Sequence, residues 1–141
     1  MQEYSRLVGI DVGIKRIGIA QTDLLKTFSS PVGTYSPEQV FARLEGIVSE
    51  SKVQAFIVGW PLQPDGSEGD TATMVQSFID RLSATFPTIP IHKVDERYSS
   101  NEAMGLMIDA GLKRKKRKQK ESVDRIAAAI ILQRYLEENH S

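Results

Sequence analysis

The chain has 141 residues, of which 40% are hydrophobic and 26% charged, the make-up of a globular protein able to bury a core. It contains no cysteine, which excludes disulfides, thiolate zinc sites and a cysteine nucleophile and fits a reducing cytoplasm, the expected location. No apolar stretch approaches the ~20 residues of a membrane-spanning helix, and Glu3 and Arg6 precede only a short apolar run, unlike a signal peptide.

The formal net charge is zero but unevenly placed. The segment KRKKRKQK, Lys113 to Lys120, holds seven of the 18 basic residues, leaving 11 against 18 acids elsewhere, a net of −7. An acidic body thus carries one dense cationic segment, which points to a polyanionic partner.

In chain order, residues 6–10 read as a strand ended by Asp11 to Gly13, and residues 17–22 as a second strand. The short GIKR connection between them predicts a hairpin. A third strand is expected near Phe28 or over Val32 to Tyr35. Ser36-Pro37-Glu38 opens a helix, with Ser36 as its cap, because Val40, Phe41, Leu44, Ile47 and Val48 recur at helical spacing. Val53 to Trp60 is a continuous apolar strand of the kind covered on both faces. A Gly-, Pro- and Asp-rich loop follows, then a helix with Met74, Val75, Phe78, Ile79 and Leu82 on one face. IPIHKVDE is a further strand. A helix opening at Ser99 or Ser100 stops at Gly111. The basic segment comes next, too charged to pack, and a last helix runs from about Ser122, its cap, to Glu138. Strand–helix alternation after an opening hairpin predicts one α/β domain over 1–141 with a mixed sheet.

Acids stand where strands and helices meet. Asp11 ends the first strand, Asp95 and Glu96 end the last, and Asp124 lies in the first turn of the final helix. Each has a plain explanation alone: a turn residue for Asp11, an ion pair with Arg97 for Asp95 or Glu96, a favourable helix N-terminus for Asp124. Together they suggest more. Carboxyl ends of adjacent parallel strands meet at one crevice, where gathered carboxylates repel unless a cation lies between them. Oxygen ligands suit Mg²⁺ or Mn²⁺. Since neighbouring residues of a strand point to opposite faces, only one of Asp95 and Glu96 should face the cation.

Four blocks, DVGIKRIG (Asp11 to Gly18), VGWPLQPDGSEG (Val58 to Gly69), DERYSS (Asp95 to Ser100) and VDRIAAAIILQRYL (Val123 to Leu136), resemble the YqgF-like or RuvX family over nearly the whole chain. DERYSS departs from the more usual DER-Leu-Thr-Thr, and Trp60 and Pro64 vary the glycine–proline loop, without removing a carboxylate. The resemblance implies an RNase H-like fold, with a five-stranded mixed sheet, its first three strands antiparallel, flanked by helices. It implies a divalent-metal nuclease with catalytic acids at Asp11, Glu96 and Asp124, and Asp95 beside them as a candidate ligand. The implied substrate is nucleic acid, in maturation of the 5′ end of 16S rRNA from its precursor. Cleavage of branched DNA as a Holliday junction resolvase, and a non-catalytic ribosome-assembly role, are the alternatives. A sugar-kinase-like ATPase is disfavoured because it needs two such domains.

Lys15 and Arg16 read as a solvated hairpin tip or as a phosphate clamp, and the resemblance favours the clamp. Arg97 pairs with Asp95 or touches substrate. Lys113, Arg114, Lys115, Lys116, Arg117, Lys118 and Lys120 suit a nucleic-acid backbone. The 59–69 loop could offer backbone N–H groups to phosphate but lacks the lysine and spacing of a P-loop. His92 reads as a plain strand side chain and His140 as a tail residue. No membrane partner is expected, and a monomer or a homodimer would serve.

Overall fold

The computed structural model describes residues 4–61, 70–95 and 116–138, with side chains described for all of these except 70 and 116–125. The elements are β1 (Arg6–Val12), β2 (Ile17–Thr22), β3 (Ser29–Tyr35), α1 (Val40–Glu50), β4 (Val53–Trp60), α2 (Asp70–Thr85), β5 (Ile91–Asp95) and α3 (Lys116–Glu138). The five strands form one sheet in the order β3-β2-β1-β4-β5. β1, β2 and β3 pair antiparallel in succession, while β4 lies parallel to both β1 and β5. This is the mixed sheet expected from the sequence, and β1 is its central strand.

Alternation along the strands splits the core into two layers. Val8, Ile10 and Val12 of β1, Ile17 and Ile19 of β2, and Phe56 and Val58 of β4 face α1 and α2, meeting Val40, Phe41, Leu44 and Ile47 of α1 and Val75, Ile79 and Leu82 of α2. Leu7, Ala20, Ala55, Ile57 and Val94 face the other way, onto Ala128, Ile131, Leu132 and Leu136 of α3. The α3 face is small-residue-rich for a reason: an added Cβ on Gly9 would lie 2.8 Å from Leu132 Cβ and 2.9 Å from the Ala128 carbonyl oxygen. Helix and strand therefore touch backbone to backbone at Gly9. Ser29 of β3 ties the same stretch of helix down, its hydroxyl donating to the Ala129 carbonyl at 2.7 Å.

Three boundaries differ from the sequence reading. β1 continues through Asp11 to Val12, because Asp11 pairs with Gly18 across the hairpin and Val12 with Ile17. α1 begins at Val40 rather than at Ser36. Ser36 instead closes a preceding turn, its carbonyl accepting from the N–H groups of Gln39 and Val40 at 3.0 Å and its hydroxyl from Gln39 N–H at 3.3 Å. α3 begins at Lys116, well before Ser122, so it takes in the tail of the basic segment. Local hydrogen bonding continues through the lysines, which have good helix propensity. The helix expected over 99–111 lies outside the described residues.

Candidate active site at the carboxyl edge of the sheet

Asp11 is half-buried near the end of the central strand. By alternation it shares the face of Leu7 and Gly9, the face that α3 covers. Its cross-strand partner on β2 is Gly18. On β4 the register runs Gly9↔Ile57 and Ile10↔Val58, so the next residue level with Asp11 is Gly59. The carboxylate therefore stands between two glycines on the flanking strands, with no side chain beside it at either position. Glycine within a strand is where a ligand or another stretch of backbone can come close.

The hairpin beyond Asp11 is tight. Gly13 N–H donates to the Arg16 carbonyl at 2.9 Å, and a Cβ on Gly13 would sit 2.6 Å from that same oxygen, so only glycine fits. The turn lifts Ile14 (79% exposed) and Lys15 into solvent, while Arg16 stays half-buried. Both cations are thus carried on a short tip a few residues from Asp11.

Asp95 ends β5, opposite Trp60 of β4. Val94 packs under α3, whereas Ile91 packs against the α1/α2 layer. Alternation consequently assigns Asp95 to the face opposite Asp11, and two strand spacings, about 10 Å, separate β5 from β1. Asp95 and Asp11 are not brought together on one face. Among the described residues no group of three or more Asp, Glu, His or Cys side chains is clustered to hold a metal.

Of the other sequence candidates, Glu96, Arg97, Lys113, Arg114 and Lys115 lie outside the described residues, as do residues 62–69 of the glycine-rich loop. Lys116, Arg117, Lys118, Lys120 and Asp124 lie on α3, but their side chains are outside the description. Asp124 is the ninth residue of that helix rather than part of its first turn, so the plain reading of it as an acid stabilised by a helix N-terminus is withdrawn. It sits one helical turn before Ala128, whose carbonyl lies over Gly9. Gly9 is in turn two residues from Asp11 on the same face.

Sequence reasoning passed over two ring contacts on β5. The Lys93 ammonium lies 3.9 Å above the Trp60 ring centroid, and His92 stacks on Tyr135 at 5.5 Å with 26° between planes. The alternation set by Val94 is the signal that could have shown that His92 and Lys93 point outward on opposite faces.

The family model described as "RuvX: Holliday junction resolvase" matches residues 5–138. The chain belongs to the RuvX family. Two relatives, from Chlorobium phaeobacteroides and Chlorobium luteolum, are each 42% identical to it, over 94% and 99% of this chain and 92% and 99% of their own. One from Salinibacter ruber is 38% identical over 96% of this chain and 95% of its own length. All three carry the name "Putative pre-16S rRNA nuclease". Among solved structures, Thermus thermophilus RuvC in complex with a Holliday junction substrate superposes with a TM-score of 0.55 at 16% identity, covering 96% of this chain and 97% of that one. Another Thermus thermophilus RuvC structure gives 0.51 at 15% identity, covering 94% and 95%. At that identity the likeness concerns the fold alone, and the fold is RNase H-like.

Proposed function

We propose that this RuvX-family chain, as a single domain, is a divalent-metal-dependent nuclease acting on the 5′ end of precursor 16S rRNA. The observation that carries the reading is the position of Asp11, a half-buried carboxylate in the central strand flanked by Gly18 and Gly59. The names borne by its relatives supply the RNA substrate.

Asp11, Glu96 and Asp124 would hold the cation, and their all-oxygen donor set suits Mg²⁺ or Mn²⁺. Asp95 is left out of that set because it belongs to the other sheet face. A divalent ion bound there would lower the pKa of a water for attack on phosphorus and offset the charge that builds on the leaving oxygen. The chain's own contributions are positional. The two glycines flanking Asp11 would let a phosphodiester approach the strand backbone closely. Lys15 and Arg16 would meet a non-bridging phosphate oxygen from the hairpin tip, Arg97 would bind beside the acids, and Lys113 to Lys120 would neutralise backbone phosphates without reading sequence.

A second reading, resolution of four-way DNA junctions, is favoured by the family description and the fold shared with RuvC. One experiment separates the two. A 5′-extended 16S rRNA fragment and a four-way junction are offered in parallel with Mn²⁺ or Mg²⁺, using the wild type and Asp11→Asn. Metal-dependent trimming of the RNA alone, lost in the variant, supports the proposal. Paired symmetric cuts in the junction support the resolvase. Tight binding of RNA with no cleavage of either substrate overturns the enzyme and leaves an assembly factor.

A further inference from the structure

β5 forms one edge of the sheet, and its two ring contacts lie on opposite faces of that edge strand. On the α3 side, exposed His92 stacks on Tyr135, and the neighbouring Arg134 donates from Nη1 to the Asp95 carbonyl at 3.1 Å. On the α2 side, exposed Lys93 lies over Trp60 and donates from Nζ to Gln76 Oε1 at 3.1 Å. Gln76 in turn donates to Asp80 at 2.9 Å, and Asp95 lies two residues along β5 from Lys93 on the same face, opposite Trp60. Each face of one edge strand therefore carries an aromatic ring with a basic side chain against it or beside it. This occurs in a body whose net charge outside Lys113 to Lys120 is −7.

Aromatic faces to stack bases, combined with cations that follow the backbone, are how single strands are bound without sequence preference. Packing alone would account for Tyr135 and Trp60, which are half-buried. It does not account for His92 and Lys93, which are exposed yet fixed by their rings and, for Lys93, by Gln76. Position also fits. β5 ends at Asp95, one residue before Glu96 in sequence, and His92 lies level with Gly9 through Ile57, two strand spacings or about 10 Å from the central strand.

We propose that the β5 edge is a binding subsite for single-stranded nucleic acid, in which a strand crossing the edge on its way to or from the carboxylate site stacks a base on His92 on the α3 face and sets a phosphate against Lys93 on the α2 face. The inference rests on the nuclease reading above and extends it to a defined strand path.

Fluorescence anisotropy tests it, with a labelled unstructured oligoribonucleotide and a blunt duplex of equal length. Titrations are done in Ca²⁺ at several salt concentrations, and gels verify that the probe stays intact. His92→Ala should weaken single-strand binding by roughly 5- to 100-fold, leaving duplex binding and the salt slope unchanged. Lys93→Gln should weaken it and reduce the log–log salt slope by about 0.7. Melting curves close to wild type in both variants exclude a merely structural origin. Wild-type affinity and slope in both variants would overturn the subsite while leaving the nuclease reading intact. Equal loss on single strand and duplex in His92→Ala would also overturn it. A wild-type protein that binds neither probe would overturn the subsite and the nucleic-acid reading together.

Discussion

Replacing Gly9 by alanine should loosen the seat of α3, and the cost can be worked from the contacts. The new methyl would lie 2.8 Å from Leu132 Cβ and 2.9 Å from the Ala128 carbonyl oxygen. Neither is the end of a flexible side chain, so the strand or the helix must move. Overpacking of this kind costs about 1–3 kcal/mol. Restricting the unfolded chain returns about 0.4–1 kcal/mol, and with two sub-3 Å contacts the clash wins, for a net loss of about 1–2 kcal/mol. An unfolding entropy of about 2.1 cal/mol/K per residue gives roughly 0.3 kcal/mol/K for this chain length. The melting temperature should then fall by about 3–7 °C, and Gly9→Val should fall further. Because α3 also carries Asp124, metal affinity should weaken together with stability. Calorimetric melting with and without Mn²⁺ reads both. A Gly9→Ala protein melting at or above the wild-type temperature would refute the close strand–helix contact.

Other perturbations give separate tests. Thr22→Val should cost about 1–3 kcal/mol in chemical denaturation, because the buried Thr22 hydroxyl accepts from Leu7 N–H at 2.9 Å and the valine leaves that donor unpaired. Asp23 organises the β2–β3 turn. Slight burial pushes its carboxyl up, but the Thr27 hydroxyl and the Phe28 and Thr27 N–H groups outweigh this and bring it to about 2. A depressed carboxylate contributes stability above its unfolded value of 3.8 and loses it as pH falls toward 2. The stability difference between wild type and Asp23→Asn should therefore be full above pH ~4 and shrink toward pH ~2; a difference constant over that range would remove Asp23 from the turn's energetics. Charge-neutral substitution of Lys113 to Lys120 should weaken RNA and DNA binding alike and flatten the salt dependence, with an unchanged slope assigning phosphate contact elsewhere.

The architecture was legible because its signals are local. The continuous apolar run Val53–Trp60 marks a strand covered on both faces, and α1, α2 and α3 cover them. The hairpin follows from the short connection at Gly13, and helical spacing found α1 and α2. Less legible was the extent of α3. A dense cationic segment resembles a loop by charge, yet Lys and Arg are good helix formers, and no breaker stands between Lys116 and Ser122. The pairing of Asp11 with Gly18 falls inside the predicted hairpin, but its level with Gly59 depends on a strand more than forty residues away, so the sequence gives the acids but not the glycine on the far side of Asp11. The separation of Asp95 from Asp11 was half-visible. Alternation gave two faces, and only the packing of Val94 under α3 says which residue takes which.

The most direct test is Mn²⁺ binding by isothermal titration to the wild type, Asp11→Asn, Glu96→Gln, Asp124→Asn and Asp95→Asn. Loss of binding in the first three variants with retention in Asp95→Asn is the expected result for a carboxylate site on the α3 face. Undiminished binding in Asp11→Asn, or loss in Asp95→Asn with Asp11→Asn unaffected, would contradict it.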